Sequence, residues 1–436
     1  MNTTKKTLLI ITAVCSMAIL ASSMVMAPLS AEPASNGGDT GSISWILVSS
    51  ALVFTMVPGI AFFYGGMLRK QSMSSMMTQT LIAIGVMTIS WLTVGYTLAF
   101  SGDGAIIGNL DKLFMNGVSE YAPSGISDME FALFQGMFAL ITAAIVLGAC
   151  AERIRYTAMV WFLAIWSVLV YAPMAHWVWG GGLFDQYLTV LDFAGGTVVH
   201  LCAGITGIAL VVFAGKRSDR VRQSRAHNIP LAFLGCAMLW IGWLGFNGGS
   251  ALAADGTAVR AVLVSMAAAG CGMMSWAFVQ YMVVGRVGVL GMIAGSIAGL
   301  VGITPAAGYV GVGEAMFIGI VAGILCFYAV RLTKARALFD DALDVFAVHG
   351  VGGIWGAIAT GIFAIPEYSG GVTGLIYGSA DLLIGQIVAI IGTLLFCFAV
   401  SYGIIWCLSK VMRVRVTEEE ELVGQDLIEH GENAYM

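Results

Sequence analysis

The sequence predicts an all-α polytopic membrane protein with eleven transmembrane helices, an outer N-terminus and an inner C-terminus. The fold class follows from the composition, the number of apolar segments and the placement of basic residues. Charged residues make up 10% of the 436 residues and hydrophobic residues 59%, whereas roughly 25% of an ordinary soluble domain is charged. A soluble protein could not bury so much apolar surface, but a lipid bilayer solvates it.

After a short N-terminal apolar run, eleven apolar segments are long enough to cross a bilayer. The eighth, Val287 to Ile303, is short and rich in glycine. The eleven segments begin near residues 43, 75, 130, 156, 193, 229, 258, 287, 312, 345 and 380.

Basic residues fix the orientation of these segments. If the mature N-terminus is outside, sixteen of the twenty lysines and arginines lie in the inner connections and the C-terminal tail. Only Lys112 and Arg260 then lie outside, which is a strong positive-inside bias. The sequence therefore predicts a multi-pass protein of the cytoplasmic (inner) membrane.

Residues 1–31 have the pattern of a secretory signal peptide. Lys5 and Lys6 precede an apolar run from Thr7 to about residue 21, and small residues follow. We expect cleavage after Ala27 or Ala31, and the pattern does not choose between them. The alternative, an uncleaved first span, is disfavoured because the apolar run is short for a membrane crossing.

Two histidines recur at matching places in the fifth and tenth segments. His200 and His349 are each followed by glycines four and seven residues later. Because each repeat contains five segments, an odd number, the second copy crosses the membrane in the opposite direction, a common transporter plan. The prediction is two inverted five-helix repeats, residues 42–214 and 229–364. An extra C-terminal helix, 380–408, and a cytoplasmic tail, 409–436, follow them.

The paired histidines are the first candidate functional residues. Ionisable side chains inside a membrane are costly and usually face a partner or a cavity. A single buried histidine is more often a satisfied core residue, but symmetric positions in inverted repeats favour a function. Since imidazole can stay neutral and one ring can donate to another, His200 and His349 could line a narrow pore. Such a pore would pass a small neutral molecule or relay a proton.

Several longer motifs occur in a fixed order along nearly all of the mature chain. They are Val57–Gly66, Phe134–Gly136, Gly148–Arg153, His176–Gly182, Leu191–His200, Gly242–Ser250, Thr304–Gly313 and Asp344–Gly350. With these motifs the chain resembles the ammonium transporters of the Amt/Mep/Rh family, and the bacterial Amt-type channels in particular. The resemblance implies an ammonium or ammonia transporter that acts as a homotrimer with one pore in each subunit.

The resemblance also implies roles for individual residues. Phe138, Trp179 and Ser250 match the outer ammonium site, where a cation meets aromatic faces and a hydroxyl. Phe134 and Phe246 match a stacked phenyl gate below that site, and the twin histidines line the pore beneath it. For Trp179 the alternative is an interfacial anchor, since membrane proteins concentrate tryptophan at the membrane surface.

Asp192, eight residues before His200, matches an aspartate of the family near the outer end of the fifth segment. Its charge could stabilise ammonium from behind the site. It could instead cap the start of the helix, as aspartates commonly do. We predict an indirect role, structural and electrostatic, rather than contact with the substrate.

The polar tail contains four consecutive glutamates, Glu418 to Glu421, and ends in a motif from His430 to Tyr435. An acidic run alone usually indicates a solvated tail. This ending, however, resembles that of bacterial ammonium transporters, in which the tail packs under the trimer and helps dock a trimeric PII-type signal protein. The resemblance therefore implies a regulatory tail and a PII-type partner connected with nitrogen utilisation.

Rival functions are a neutral-gas channel and an ammonium sensor with the same architecture. Sensors of the family usually carry an added signalling domain, which the 28 residues of the tail would not supply. An intramembrane enzyme is disfavoured because no motif such as HExxH is present. The eight cysteines form no CxxC pair, and two histidines alone make a poor metal site. We expect no cofactor, no resident metal and no nucleic-acid partner.

Overall fold

The computed structural model describes residues 38–336 and 339–435. The predicted signal peptide lies outside the described residues. Within them, eleven helices are long and apolar enough to cross a membrane, so the predicted fold class is confirmed. Their bounds are Thr40–Met67 (α1), Lys70–Phe100 (α2), Asp128–Ala149 (α3), Tyr156–Tyr187 (α4), Gly196–Ala214 (α5), Ile229–Gly249 (α6), Gly256–Val284 (α7), Val289–Ala306 (α8), Val312–Lys334 (α9), Phe346–Phe363 (α10) and Asp381–Val411 (α11).

Consecutive helices run in opposite directions, so the bundle has two ends. We call the end where residues 412–435 pack the tail side, and the end that carries residues 101–127 the loop side. The helices α3 and α5 are the most deeply buried, and α11 is the least. The functional side chains described below come mainly from α3, α5, α6 and α10.

Polar side chains determine where several helices begin. Ser127 and Glu130 form a capping box at the start of α3. At the start of α7, one oxygen of Asp255 accepts hydrogen bonds from the backbone N–H groups of Thr257 and Ala258. These contacts satisfy N–H groups that have no partner within their own helix.

The C-terminal tail folds back onto the bundle. Its short helix Glu418–Val423 (α12) lies beside Arg155, whose guanidinium binds Glu420 at 2.6 Å and Glu429 at 2.5 Å. The carboxylate of Asp426 accepts hydrogen bonds from the N–H groups of Ser74 and Ser75, near the start of α2. The acidic tail is therefore a packed element of the tail side, not only a solvated extension.

Candidate functional site

An aromatic cluster lies toward the loop side, with Phe138 of α3 at its centre. The ring of Phe138 stacks on that of Phe246, with centroids 4.3 Å apart and planes 23° apart. The edges of Trp179 and Phe134 pack against the Phe138 ring, at centroid distances of 5.8 Å and 4.9 Å. Phe138 and Phe246 are 1% and 0% exposed, so both rings are buried between α3 and α6.

The stacked pair differs from the one predicted. We expected Phe134 to stack on Phe246, but the partner of Phe246 is Phe138. The reason is helical geometry, because α3 starts on the loop side and Phe138 lies one turn deeper than Phe134. Phe138 therefore contacts both Trp179 above it and Phe246 beside it, while Phe134 packs above the stack.

Trp179 and Ser250, the other residues of the predicted outer site, are both half-buried near this cluster. The indole N–H of Trp179 donates to the backbone carbonyl of Asp192 at 2.8 Å, so the tryptophan presents its ring to the cluster while its N–H is satisfied. The hydroxyl of Ser250 donates to the carbonyl of Phe246 at 2.8 Å, which leaves its lone pairs able to accept from a ligand.

Asp192 caps the start of α5. One carboxylate oxygen accepts from the N–H groups of Gly195 and Gly196, and the other from those of Thr197 and Val198, at 2.7 to 3.2 Å. Burial raises the pKa of the Asp192 carboxyl, and the four N–H groups oppose this rise by stabilising the charged form. The carboxylate thus binds the start of α5, whereas the contact of Asp192 with the aromatic cluster is made by its backbone carbonyl, which accepts from the Trp179 indole.

The two predicted histidines meet below the phenylalanine stack. The Nδ1 atoms of His200 and His349 are 3.2 Å apart, and the two rings are nearly parallel with centroids 5.2 Å apart. His200 is 1% exposed and His349 7%. One ring can donate to the other through these Nδ1 atoms, whereas the buried Nε2 atom of His200 has no hydrogen-bond partner among the described residues. Within the described part of the chain, no group of three or more His, Cys, Asp or Glu side chains could hold a metal ion.

Both histidines lie in short π-helical turns, Gly196–Leu201 at the start of α5 and Phe346–Gly350 at the start of α10. In each turn the N–H group two residues after the histidine bonds the carbonyl three residues before it: Cys202 to Thr197 and Val351 to Phe346. Such turns are rare and are frequent at functional sites. The same local deformation therefore occurs at the same place in both repeats.

Two separate cavities border the histidine pair. A narrow cavity of about 10 Å³ is lined by apolar side chains together with both histidines. A vestibule of about 760 Å³ opens on the tail side and reaches His349. The narrow cavity is about the size that one water molecule needs, so the space beside the histidines suits a molecule of that size.

Two residues of this site were missed by sequence reasoning. The first is Trp243, whose ring stacks on His200 at a centroid distance of 5.1 Å and whose N–H donates to the Thr304 hydroxyl at 2.9 Å. It lies three residues before Phe246, and that helical spacing was a usable signal.

The second is Asp341, eight residues before His349, as Asp192 is eight residues before His200. One oxygen of Asp341 accepts from the N–H of Phe346 at 2.7 Å, at the start of α10. The other is buried and, among the residues that the structure describes, has no hydrogen-bond partner. Burial and the charge of Asp344 raise the pKa of Asp341 to about 6. A search for the eight-residue spacing in the second repeat would have found this residue.

Comparisons with known proteins agree with this geometry. Residues 44–435 match the model of the Ammonium Transporter Family. The ammonium transporter of Bacillus subtilis is 45% identical over 400 residues, which are 91% of this chain and 98% of that protein. Ammonium transporter Amt1 of Archaeoglobus fulgidus is 41% identical over 397 residues, 91% of this chain and 99% of that protein.

Solved structures share the fold. The crystal structure of Saccharomyces cerevisiae Mep2 superposes with a TM-score of 0.82 at 35% identity, covering 90% of this chain and 93% of that one. A structure named Sensor Amt Protein gives a TM-score of 0.83 at 29% identity, covering 89% of this chain and 98% of that one. On the family match and these relatives, the chain belongs to the ammonium transporter family.

Proposed function

We propose that the protein binds ammonium at the aromatic cluster, removes a proton there and conducts ammonia past the twin histidines. The single observation that supports this proposal is the 3.2 Å contact between the Nδ1 atoms of His200 and His349, beside a narrow cavity whose lining is mostly apolar. The loop side faces outside in this proposal, in line with the positive-inside bias of the sequence.

The aromatic cluster suits a small cation. Ammonium offers a positive charge to the faces of Phe138 and Trp179 and can donate a hydrogen bond to the Ser250 hydroxyl, and each cation–π contact is worth about 0.5–2 kcal/mol. Asp192 supports this site indirectly, because its backbone carbonyl holds the Trp179 indole. Potassium has a similar size, but it offers no proton to donate.

Deprotonation explains how the protein could discriminate between these two ions. A naked cation is too costly to carry through an apolar channel. Below Phe138 and Phe246 the lining is apolar apart from the histidines and the Tyr64 hydroxyl, so ammonia can pass where ammonium and potassium cannot. The balance is one ammonium giving one ammonia and one proton. The proton either returns to the outer solution or moves along the histidines, and these two routes differ in the charge carried.

The experiment is a current measurement on solid-supported membranes that carry the purified protein. An ammonium concentration jump is applied to the wild type, to the His200→Ala/His349→Ala double variant and to His227→Ala. His227 is a matched control, because it lies on the tail side and bonds Leu68 and Tyr435, away from the pore. A potassium jump tests selectivity, and a pH dye inside parallel vesicles follows the entry of ammonia.

Each result has a distinct meaning. A wild-type current that is selective over potassium, kept in His227→Ala and lost in the double variant, supports ammonia conduction with the proton carried along the histidines. A rise of vesicle pH without a current indicates a neutral-gas channel, in which the histidines only line the path. If neither signal exceeds that of empty vesicles, transport is refuted and an ammonium sensor becomes the better reading. A potassium current equal to the ammonium current would refute the deprotonation step.

We further propose a homotrimer in the cytoplasmic membrane and regulation through the tail by a PII-type signal protein. Membership of the family supports the assembly. The regulatory role is supported by the contacts of Arg155 with Glu420 and Glu429, which link the tail to the start of α4. A partner that displaced these contacts would act on the bundle without entering the membrane.

A further inference from the structure

The twin histidines touch each other through one hydrogen-bond contact, between their Nδ1 atoms. The Nε2 atom of His200 has no hydrogen-bond partner among the described residues. Because a single contact joins side chains that belong to two helices, the separation of the rings also depends on how closely the backbones of α5 and α10 approach. Two glycines lie where these helices cross, each four residues after a histidine.

The crossing is symmetric. A Cβ atom on Gly204 would lie 2.6 Å from the backbone nitrogen of Gly350, the residue directly after His349. A Cβ atom on Gly353 would lie 2.8 Å from the carbonyl oxygen of Gly196 and 3.1 Å from the nitrogen of Leu201, the residue directly after His200. Gly204 therefore packs against the π-helical turn that contains His349, and Gly353 packs against the turn that contains His200.

We propose that Gly204 and Gly353 are positioning residues that set the separation of His200 and His349. The inference rests on the proposed function in one respect, since it assigns a transport consequence to that separation. The distance between the rings is itself measurable without any transport.

The required displacement follows from the contacts. Ordinary contacts of a Cβ atom begin near 3.4 Å, so alanine at position 204 needs about 0.8 Å more room and alanine at position 353 about 0.6 Å. The opposing atoms belong to backbone inside packed helices and cannot rotate away as the end of a side chain could. If the helices separate by this amount, the 3.2 Å contact between the Nδ1 atoms lengthens beyond the range of a hydrogen bond.

The chain contains matched controls for this substitution. Gly207 and Gly356 lie one turn further along the same two helices, seven residues after each histidine. A Cβ atom on Gly207 would meet that of Ala149 in α3 at 2.8 Å, and one on Gly356 would meet the carbonyl of Gly302 in α8 at 2.5 Å. Alanine at these positions is comparably crowded, but it separates α5 from α3 and α10 from α8.

The experiment is solid-state NMR on the full chain in lipid, labelled with ¹⁵N-histidine. The protein has only five histidines, and substitution of His200 or His349 by glutamine identifies the signals of the pair. In the wild type we expect a through-space ¹⁵N–¹⁵N correlation between the two Nδ1 atoms. In Gly204→Ala and Gly353→Ala the coupling is expected to fall to roughly half, because dipolar coupling decreases with the cube of the distance.

Transport is measured on the same four variants. Since a displacement of about 1 Å can cost about 100-fold in rate, we expect uptake to fall at least about tenfold in Gly204→Ala and Gly353→Ala. Gly207→Ala and Gly356→Ala are expected to keep the wild-type correlation and to stay within about twofold of wild-type uptake. If Gly204→Ala cannot be purified as folded protein, Gly353→Ala, with the smaller overlap, decides.

Three results would overturn the proposal. They are a wild-type spectrum without the correlation, an unchanged coupling in the position 204 and 353 variants, and an equal loss of coupling in the two control variants. A halved coupling with undiminished uptake supports the positioning role and instead counts against the histidines as the transport path. The two proposals therefore fail in different ways.

Discussion

Replacing Asp192 by asparagine should release the start of α5 and thereby disturb the aromatic cluster. The carboxylate has two oxygens, and each accepts two backbone N–H groups, from Gly195 and Gly196 and from Thr197 and Val198. Asparagine keeps one oxygen and places an amide NH₂ group where the other stood. That group is a donor and faces two further donors.

The magnitude follows from the bonds that asparagine cannot make. Hydrogen bonds to a charged group contribute about 1.5–3 kcal/mol each, so the loss of two corresponds to roughly 3–6 kcal/mol. The carbonyl of Asp192 also holds the indole of Trp179 at 2.8 Å. A disordered helix start should therefore weaken ammonium binding as well as stability.

Thermal unfolding of the purified protein in detergent, followed by size-exclusion chromatography, measures the first effect, and ammonium uptake by vesicles measures the second. Asp255→Asn is the matched control. A single oxygen of Asp255 accepts both of its N–H groups, and asparagine is about as good as aspartate at the start of a helix. This control variant should unfold close to the wild-type midpoint and transport normally.

An unfolding midpoint for Asp192→Asn equal to that of Asp255→Asn would refute the reasoning about the cap. A lowered unfolding midpoint with full uptake would support the role of Asp192 as a helix cap. It would also show that the charge of Asp192 does not contribute to ammonium binding. A normal midpoint with lost uptake would mean that the charge acts on the substrate more directly than the geometry implies.

Three further predictions concern the tail, the assembly and the partner. Arg155→Ala removes the ion-pair partner of Glu420 and Glu429, so amide hydrogen exchange should become faster across residues 418–430. The exchange of α3 should stay unchanged. An unchanged exchange rate in the tail would contradict the packing role of Arg155. Native mass spectrometry of the purified protein should give the mass of a trimer, and a further mass step should follow when a PII-type protein from a host that encodes one is added. A monomer mass would count against the homotrimer, and failure of that protein to bind or to co-purify under nitrogen-replete conditions would count against the partner.

Much of the fold was predictable because its signals are local. Hydropathy over about 20 residues reports a membrane crossing, and all eleven helices were found in this way. The pairing of His200 with His349 was also predictable, since glycines at matching offsets revealed the repeat. The Nδ1–Nδ1 contact confirms that the two histidines meet.

The choice between Phe134 and Phe138 shows where such reasoning failed. Both residues lie on one face of α3, four positions apart. Which ring stacks on Phe246 depends on the relative heights of α3 and α6 across the membrane. The family resemblance assigned Phe134 to the stack without information on those heights. The predicted direction of α3 indicates that Phe138 lies deeper than Phe134, but it does not indicate which of these two depths Phe246 occupies.

By itself, the sequence determined the fold class, the span count, the repeat and the identity of the paired histidines, because each depends on periodicity, composition or register along the chain. Only the tertiary structure decided the Phe138–Phe246 stack, the contact of Trp243 with His200, the absence of a described hydrogen-bond partner for one oxygen of Asp341 and the packing of the tail. These features depend on the relative heights of helices that are distant in sequence and on the distances between those helices. That approach is set by contacts such as Gly204 against Gly350, and no local pattern encodes it.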